Sequence, residues 1–259
     1  MSVVTRWLSA TPSPLAKRFI LLSFPFLVVL VLGQDSLQLV AQGVEHGQLF
    51  SDLIIVPYFV ALLFALQPEQ RLMAFIFLPF SAVAEYIFSL IFGLYAYRLE
   101  AVPLYVPFGH AVLFSMGLLV CELPFVRQHE EKLRPFLIGI YIALFSAVIL
   151  LLHDTLSAVF GLVFLWVLRR KGYQTLYFVM GFLVLYIELL GTGFGCWAWV
   201  PHPFGLSWLQ ATSPPFGAFV CYVLGDIGGF KMIRFFEGRL AAGDFDSAQP
   251  PGGIAVPEP

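Results

Sequence analysis

The chain is expected to be an all-α, polytopic membrane protein of eight transmembrane helices, arranged as a parallel 4+4 internal repeat with both termini in the cytoplasm. Three observations lead there. Hydrophobic residues make up 59% of the 259 positions and charged residues only 12%, which is too apolar for a water-soluble domain. The apolar residues fall in eight runs separated by polar or Gly/Pro-rich turns. The basic residues are confined to alternate turns.

A helix crossing about 30 Å of hydrocarbon needs roughly 20 mostly apolar residues, because only a helix or a closed barrel satisfies its own backbone there. The runs extend from Phe19 to Gly33, Leu53 to Leu66, Leu72 to Gly93, Val102 to Val120, Pro135 to Leu152, Thr155 to Leu168, Thr175 to Leu190 and Pro214 to Phe230. The first follows basic residues as a signal peptide would, but no small-x-small cleavage site comes after it, so it reads as an uncleaved span. Of the 14 Lys and Arg residues, all but Arg98 fall at the N-terminus, the second, fourth and sixth connections or the C-terminus. Short cytoplasmic connections are enriched in positive charge, and losing one span would reverse every later side and spoil the alternation. Residues 241–259, rich in Pro, Gly, Asp and Ala, read as a disordered cytoplasmic tail.

Self-similarity divides the chain into repeats at 1–134 and 135–240. Asp35-Ser36 resembles Asp154-Thr155. Glu85 followed by Gly93, Tyr95 and Tyr97 resembles Glu188 followed by Gly195, Trp197 and Trp199. Pro107, Phe108 and Gly109 resemble Pro215, Phe216 and Gly217. The matches occur in the same order and align helices one to four with five to eight. An even number of spans per copy makes the halves parallel, with a pseudo-twofold axis along the membrane normal.

Ionisable residues within a membrane span are costly and mark function by default. Glu85 and Glu188 stand at matching positions, roughly 5–15 Å below the outer surface at the helical rise of 1.5 Å per residue. His110 falls at similar depth, and His153 and Asp154 occupy the outer turn between the fifth and sixth helices. These five are the candidate catalytic residues, on the extracytoplasmic side. Asp35 and Asp154 also read as N-caps of the helices that follow them. Tyr95, Tyr97, Trp197 and Trp199 are candidate substrate-binding residues, against the plain reading that Tyr and Trp gather at the membrane interface. Asp226, between glycines near the cytoplasmic end of the last helix, reads as a cap or a snorkelling charge.

Several classes receive no support. Cys121, Cys196 and Cys221 form no CxxC pair and so indicate neither a disulfide framework nor a thiolate metal site. The run Gly191, Gly193, Gly195 imitates a nucleotide loop but follows a membrane helix rather than a strand. No basic surface suggests nucleic acid. No cofactor is expected. A site of Zn or Fe held by Glu85, His110, His153 and Glu188 is the weaker variant, because no HxxxH or HExxH spacing supports it.

Three function classes fit these residues. One is an enzyme whose paired carboxyls protonate and deprotonate a lipid-soluble substrate, with the 28 Phe residues supplying an isoprenoid pocket and aromatic faces for a carbocation. The others are a proton- or cation-coupled transporter and a noncatalytic assembly protein. Glu85, the Gly93-x-Tyr95-x-Tyr97 motif and the Val102-Pro103 pair resemble the pattern of bacterial integral-membrane carotenoid hydratases. The resemblance is confined to the stretch from Glu85 to Pro103 and implies hydration or cyclisation of a polyene, with Glu85 as the acid. The expected setting is the bacterial inner membrane, with membrane lipid or a lipid-soluble molecule as partner; oligomeric state is left open.

Overall fold

The structure, a computed structural model, describes residues 10–171, 174–225 and 227–228. Asp226, the C-terminal cations Lys231, Arg234 and Arg239, and the segment 241–259 lie outside the described residues, as does Arg6. The fold is all-α apart from one small ribbon. In chain order come α1 (Pro14–Gln34), the short α2 (Leu37–Ala41), α3 (Gly47–Leu63), α4 (Pro68–Glu85) continued by a π-turn over Tyr86–Ile91, β1 (Tyr95–Tyr97) and α5 (Tyr105–Cys121). There follow α6 (Pro124–Leu152), α7 (Thr155–Lys171), α8 (Thr175–Phe194), β2 (Trp197–Trp199) and α9 (Phe216–Gly225), whose first turn is 3-10.

Four segments are long and apolar enough to cross a membrane: Pro14–Ala41, Pro68–Ile91, Pro124–Leu152 and Thr175–Phe194. The helices Gly47–Leu63, Tyr105–Cys121 and Phe216–Gly225 are apolar but shorter. Helix starts follow local chemistry. The Ser13 side chain accepts from the Ala16 amide ahead of Pro14 at the first helical position, where its missing N–H costs nothing. Gln67 and Gln70 form a reciprocal capping box at the start of α4.

The expected boundary at Pro135 is corrected. Helix α6 begins at Pro124, preceded by an extended Leu123, and runs through Pro135. Pro124 takes the first helical position, and a proline inside a long apolar helix costs one hydrogen bond without ending it. The cations Arg127, Lys132 and Arg134 therefore sit on a helical extension, with Arg134 paired to Glu130 one turn earlier.

Helix α5 packs against α4, α3 and α8, and α1 packs against α3 and α8. In the second half, Tyr141 is the one described residue of α6 that is buried. It meets Phe178 and Phe219 edge to face at 5.0 and 5.4 Å, contacts worth about 0.5–1.5 kcal/mol each beyond simple burial. Leu137, Ile138, Leu144, Phe145 and Val148 of α6 pack against the same core, while Phe136, Ile142 and Leu150 are exposed on its other side. At the end of the bundle that bears the ribbon, Asp35 is fully buried. It pairs with Arg98 and accepts from Tyr105 Oη at 2.8 Å and Gln48 Nε2 at 3.2 Å. That corrects its reading as an N-cap: the Ser36 hydroxyl caps α2 instead. Asp154 is an N-cap, its Oδ1 accepting from the Ser157 amide at 2.8 Å.

Candidate functional site

The site begins with two glycines. Gly93 has φ +59° and Gly195 φ +73°, left-handed conformations that side-chain-bearing residues adopt only under strain. Each ends a helical segment and turns the chain into a three-residue strand. β1 and β2 then pair antiparallel, with Tyr95 opposite Trp199, Ala96 opposite Ala198 and Tyr97 opposite Trp197. The ladder extends by one bond at each end, from Arg98 N to Cys196 O and from Val200 N to Leu94 O, both 2.9 Å. Strand side chains alternate between faces, so all four aromatic residues lie buried on one face while both alanines are exposed on the other.

That buried face carries donors toward two carboxyls. Tyr95 Oη and Tyr97 Oη donate to Glu85 Oε2 at 2.7 and 2.5 Å. Trp197 Nε1 and Trp199 Nε1 donate to Glu188 Oε2, both at 2.9 Å. Ser89 Oγ donates to the Glu85 carbonyl and Thr192 Oγ1 to the Glu188 carbonyl, each at 2.7 Å. The stretch from Glu85 to Gly93 is one residue longer than that from Glu188 to Gly195. The π-turn over Tyr86–Ile91 absorbs the extra residue, since a π-turn is an α-turn with one residue inserted. Gly191 lets the Trp197 ring lie against α8: a Cβ there would overlap that indole.

On the far side of Glu85, His110 of α5 places Nε2 2.9 Å from Oε1. The His110 ring stacks on Tyr222 of α9, with centroids 4.7 Å apart and planes within 9°. Glu85, His110, Glu188, the four ribbon aromatics, Cys221 and Tyr222 line one cavity of about 120 Å³, bordered elsewhere mainly by apolar side chains such as Phe24, Phe77, Phe80 and Phe88. At ~30 Å³ per water in the liquid, that volume holds a few waters or the end of a hydrocarbon chain. No Lys or Arg is among the described lining residues.

Seven of the nine residues singled out by sequence therefore meet at this cavity: Glu85, Glu188, His110, Tyr95, Tyr97, Trp197 and Trp199. His153 and Asp154 do not. His153 is exposed with φ +55°, closing α6, and Asp154 is engaged by Ser157 and Thr212. His202 and Trp208, in the segment that follows β2, are exposed and stand off the lining. Among the described residues no three His, Cys, Asp or Glu side chains converge as a metal-ligand set, and His153 is not among the residues that line the cavity. Sequence reasoning missed Tyr222 and Cys221. Ala218 aligns with His110 in the motif matching, and Tyr222 follows it by one helical turn, so helical spacing held the signal for Tyr222. Compared with family models, curated proteins and solved structures, the chain matches none of them.

Proposed function

We propose that this chain is an eight-span membrane enzyme performing acid/base chemistry, namely hydration, cyclisation or isomerisation, on an isoprenoid or other lipid-soluble substrate. One observation carries the reading: two buried carboxyls on different helices, Glu85 and Glu188, are held by ribbon aromatics at a single cavity whose lining is mostly apolar. Buried carboxyls held in hydrogen-bonded shells are the groups that move protons at a substrate without bulk water. An apolar cavity admits an alkene, and its aromatic faces stabilise a positive charge developing on carbon. The likeness of the Glu85–Pro103 stretch to carotenoid hydratases points the same way.

In the same reading the halves are parallel four-helix repeats and the cavity lies toward the extracytoplasmic side of a bacterial inner membrane, with both termini cytoplasmic. The antiparallel ribbon supports this, because pairing Ala96 with its counterpart Ala198, and Tyr95 with the counterpart of Tyr97, is the register a twofold axis through the ribbon requires. The short helices α3, α5 and α7 count as spans here, each of 17 residues and so about 25 Å long. The test is mass spectrometry of lipids that copurify with the protein, followed by conversion assays in liposomes. A retained isoprenoid turned over by wild type and more slowly by Glu85→Gln and Glu188→Gln is the expected result. Protein-dependent proton or cation flux without conversion would replace this reading with transport.

A further inference from the structure

The two carboxyls are alike in backbone setting and unlike in what they have left to offer. Both oxygens of Glu85 are engaged: Oε2 by the Tyr95 and Tyr97 hydroxyls, Oε1 by His110 Nε2. Glu188 commits only Oε2, to the two indole N–H groups, and no described residue bonds to its Oε1. Nor is that oxygen sealed in. Among the described residues the buried side-chain N and O atoms lacking a partner are Asp52 Oδ1 and Arg134 Nε, so Glu188 Oε1 opens on the cavity that its side chain lines.

The donors differ in kind as well. An indole N–H donates and never accepts, whereas a tyrosine hydroxyl does both and rotates to suit. When Glu188 carries a proton, the proton is therefore on Oε1, because Oε2 already receives two N–H bonds. It points into the cavity. A proton on Glu85 lies instead within a closed shell of two hydroxyls and an imidazole.

From this we infer that Glu188, through Oε1, is the carboxyl that exchanges a proton with the bound substrate, while Glu85 is a positioning residue that fixes His110 in the cavity wall. The assignment rests on the acid/base reading above. In the forward step the Oε1–H bond breaks and the alkene π pair forms a C–H bond, leaving positive charge on the neighbouring carbon opposite the Glu188 carboxylate. Capture of that carbon by water, whose proton returns to Oε1, yields an alcohol. Loss of an adjacent C–H proton to Oε1 yields an isomerised alkene. Either course restores the starting carboxyl.

Dicyclohexylcarbodiimide tests this without a known substrate. It is lipid-soluble and is attacked at its central carbon by a carboxyl oxygen that is free and faces an apolar phase, the carboxyl proton passing to a carbodiimide nitrogen. The full chain in liposomes is treated and the adduct located by peptide mass mapping. The expected result is an adduct on Glu188 in wild type and in Glu85→Gln, and its loss in Glu188→Gln. An adduct on Glu85 instead, on both glutamates alike, or on neither overturns the assignment. Should Glu188→Gln fail to fold, the wild-type map decides alone. The positioning role is read separately by ¹⁵N-histidine NMR: the His110 Nε2 resonance moves in Glu85→Gln and stays in Glu188→Gln, and an unmoved resonance in Glu85→Gln overturns it. Labelled Glu188 in a protein that neither retains nor converts an isoprenoid would sink the substrate reading and leave the assignment of the reactive oxygen standing.

Discussion

The surroundings of Glu85 and of Glu188 share a backbone and differ in chemistry. Each has a helix bearing the carboxyl, a hydroxyl bonded back to the carboxyl's own carbonyl, a left-handed glycine and a strand with two buried aromatics. On one side the partners are Tyr95, Tyr97 and His110, groups whose hydrogen-bonding atoms can act as donor or acceptor. On the other they are Trp197 and Trp199, which hold a carboxyl without exchanging anything with it. A common frame with unlike donors separates holding a charge in place from using it.

The largest test of that difference is kinetic. Glu188→Gln is expected to lower turnover in liposomes by about 10²–10⁴-fold, the usual contribution of a general acid or base. Glu85→Gln removes no reacting atom and should lose less; equal losses would erase the distinction. The next contrast is between the two aspartates at the ribbon end. Arg98→Ala strands the fully buried Asp35 charge and should cost about 3–5 kcal/mol in detergent unfolding. Thr212→Val removes one neutral donor from Asp154 and should cost only about 1 kcal/mol.

Third, Gly191→Ala drives a methyl into the Trp197 ring, whereas Gly193→Ala meets open space. The first should destabilise by about 1–3 kcal/mol, as overpacking does, and shift tryptophan emission. The second should do neither, and a shift there would show that Trp197 is not held by α8.

The smallest effect belongs to the opposite end of the molecule, away from both carboxyls. Burial pushes the Glu122 carboxyl up, but hydrogen bonds from Lys17 and Gln70, with the Lys17 charge, outweigh it and hold it below its ordinary value of 4.5. Because the folded value lies below the unfolded one, its stabilisation is complete above about pH 4.5 and disappears as pH falls through the depressed value. A partly exposed pair of this kind contributes about 0.2–1 kcal/mol. Glu122→Gln should lower neutral stability by that amount and leave stability below the depressed value nearly unchanged, flattening the acid limb of the profile.

Part of the site was legible because the cost of burying charge in an apolar chain makes Glu85, Glu188 and His110 conspicuous in any reading. Matching Tyr95 and Tyr97 to Trp197 and Trp199 drew attention to the same four aromatics. It did not show that they touch, since three-residue strands carry no periodicity long enough to detect and their pairing joins segments about a hundred residues apart. Asp35 and Asp154 show the same boundary. Both precede a hydroxyl residue and look alike as caps, yet one pairs with Arg98 and the other caps α7. Arg98, the one cation outside the alternate connections and termini that hold the rest, was the available hint of that pair.

By itself, then, the sequence determined the all-helical, membrane-crossing character of the protein, because apolar run length and charge placement are local properties that lipid enforces directly. The tertiary structure alone decided which polar groups share a cavity, which oxygen of each glutamate is engaged, and that His153 and Asp154 stand apart from them. Those outcomes depend on angstrom-scale approach between helices distant in the chain, and no spacing along one strand or helix encodes that approach.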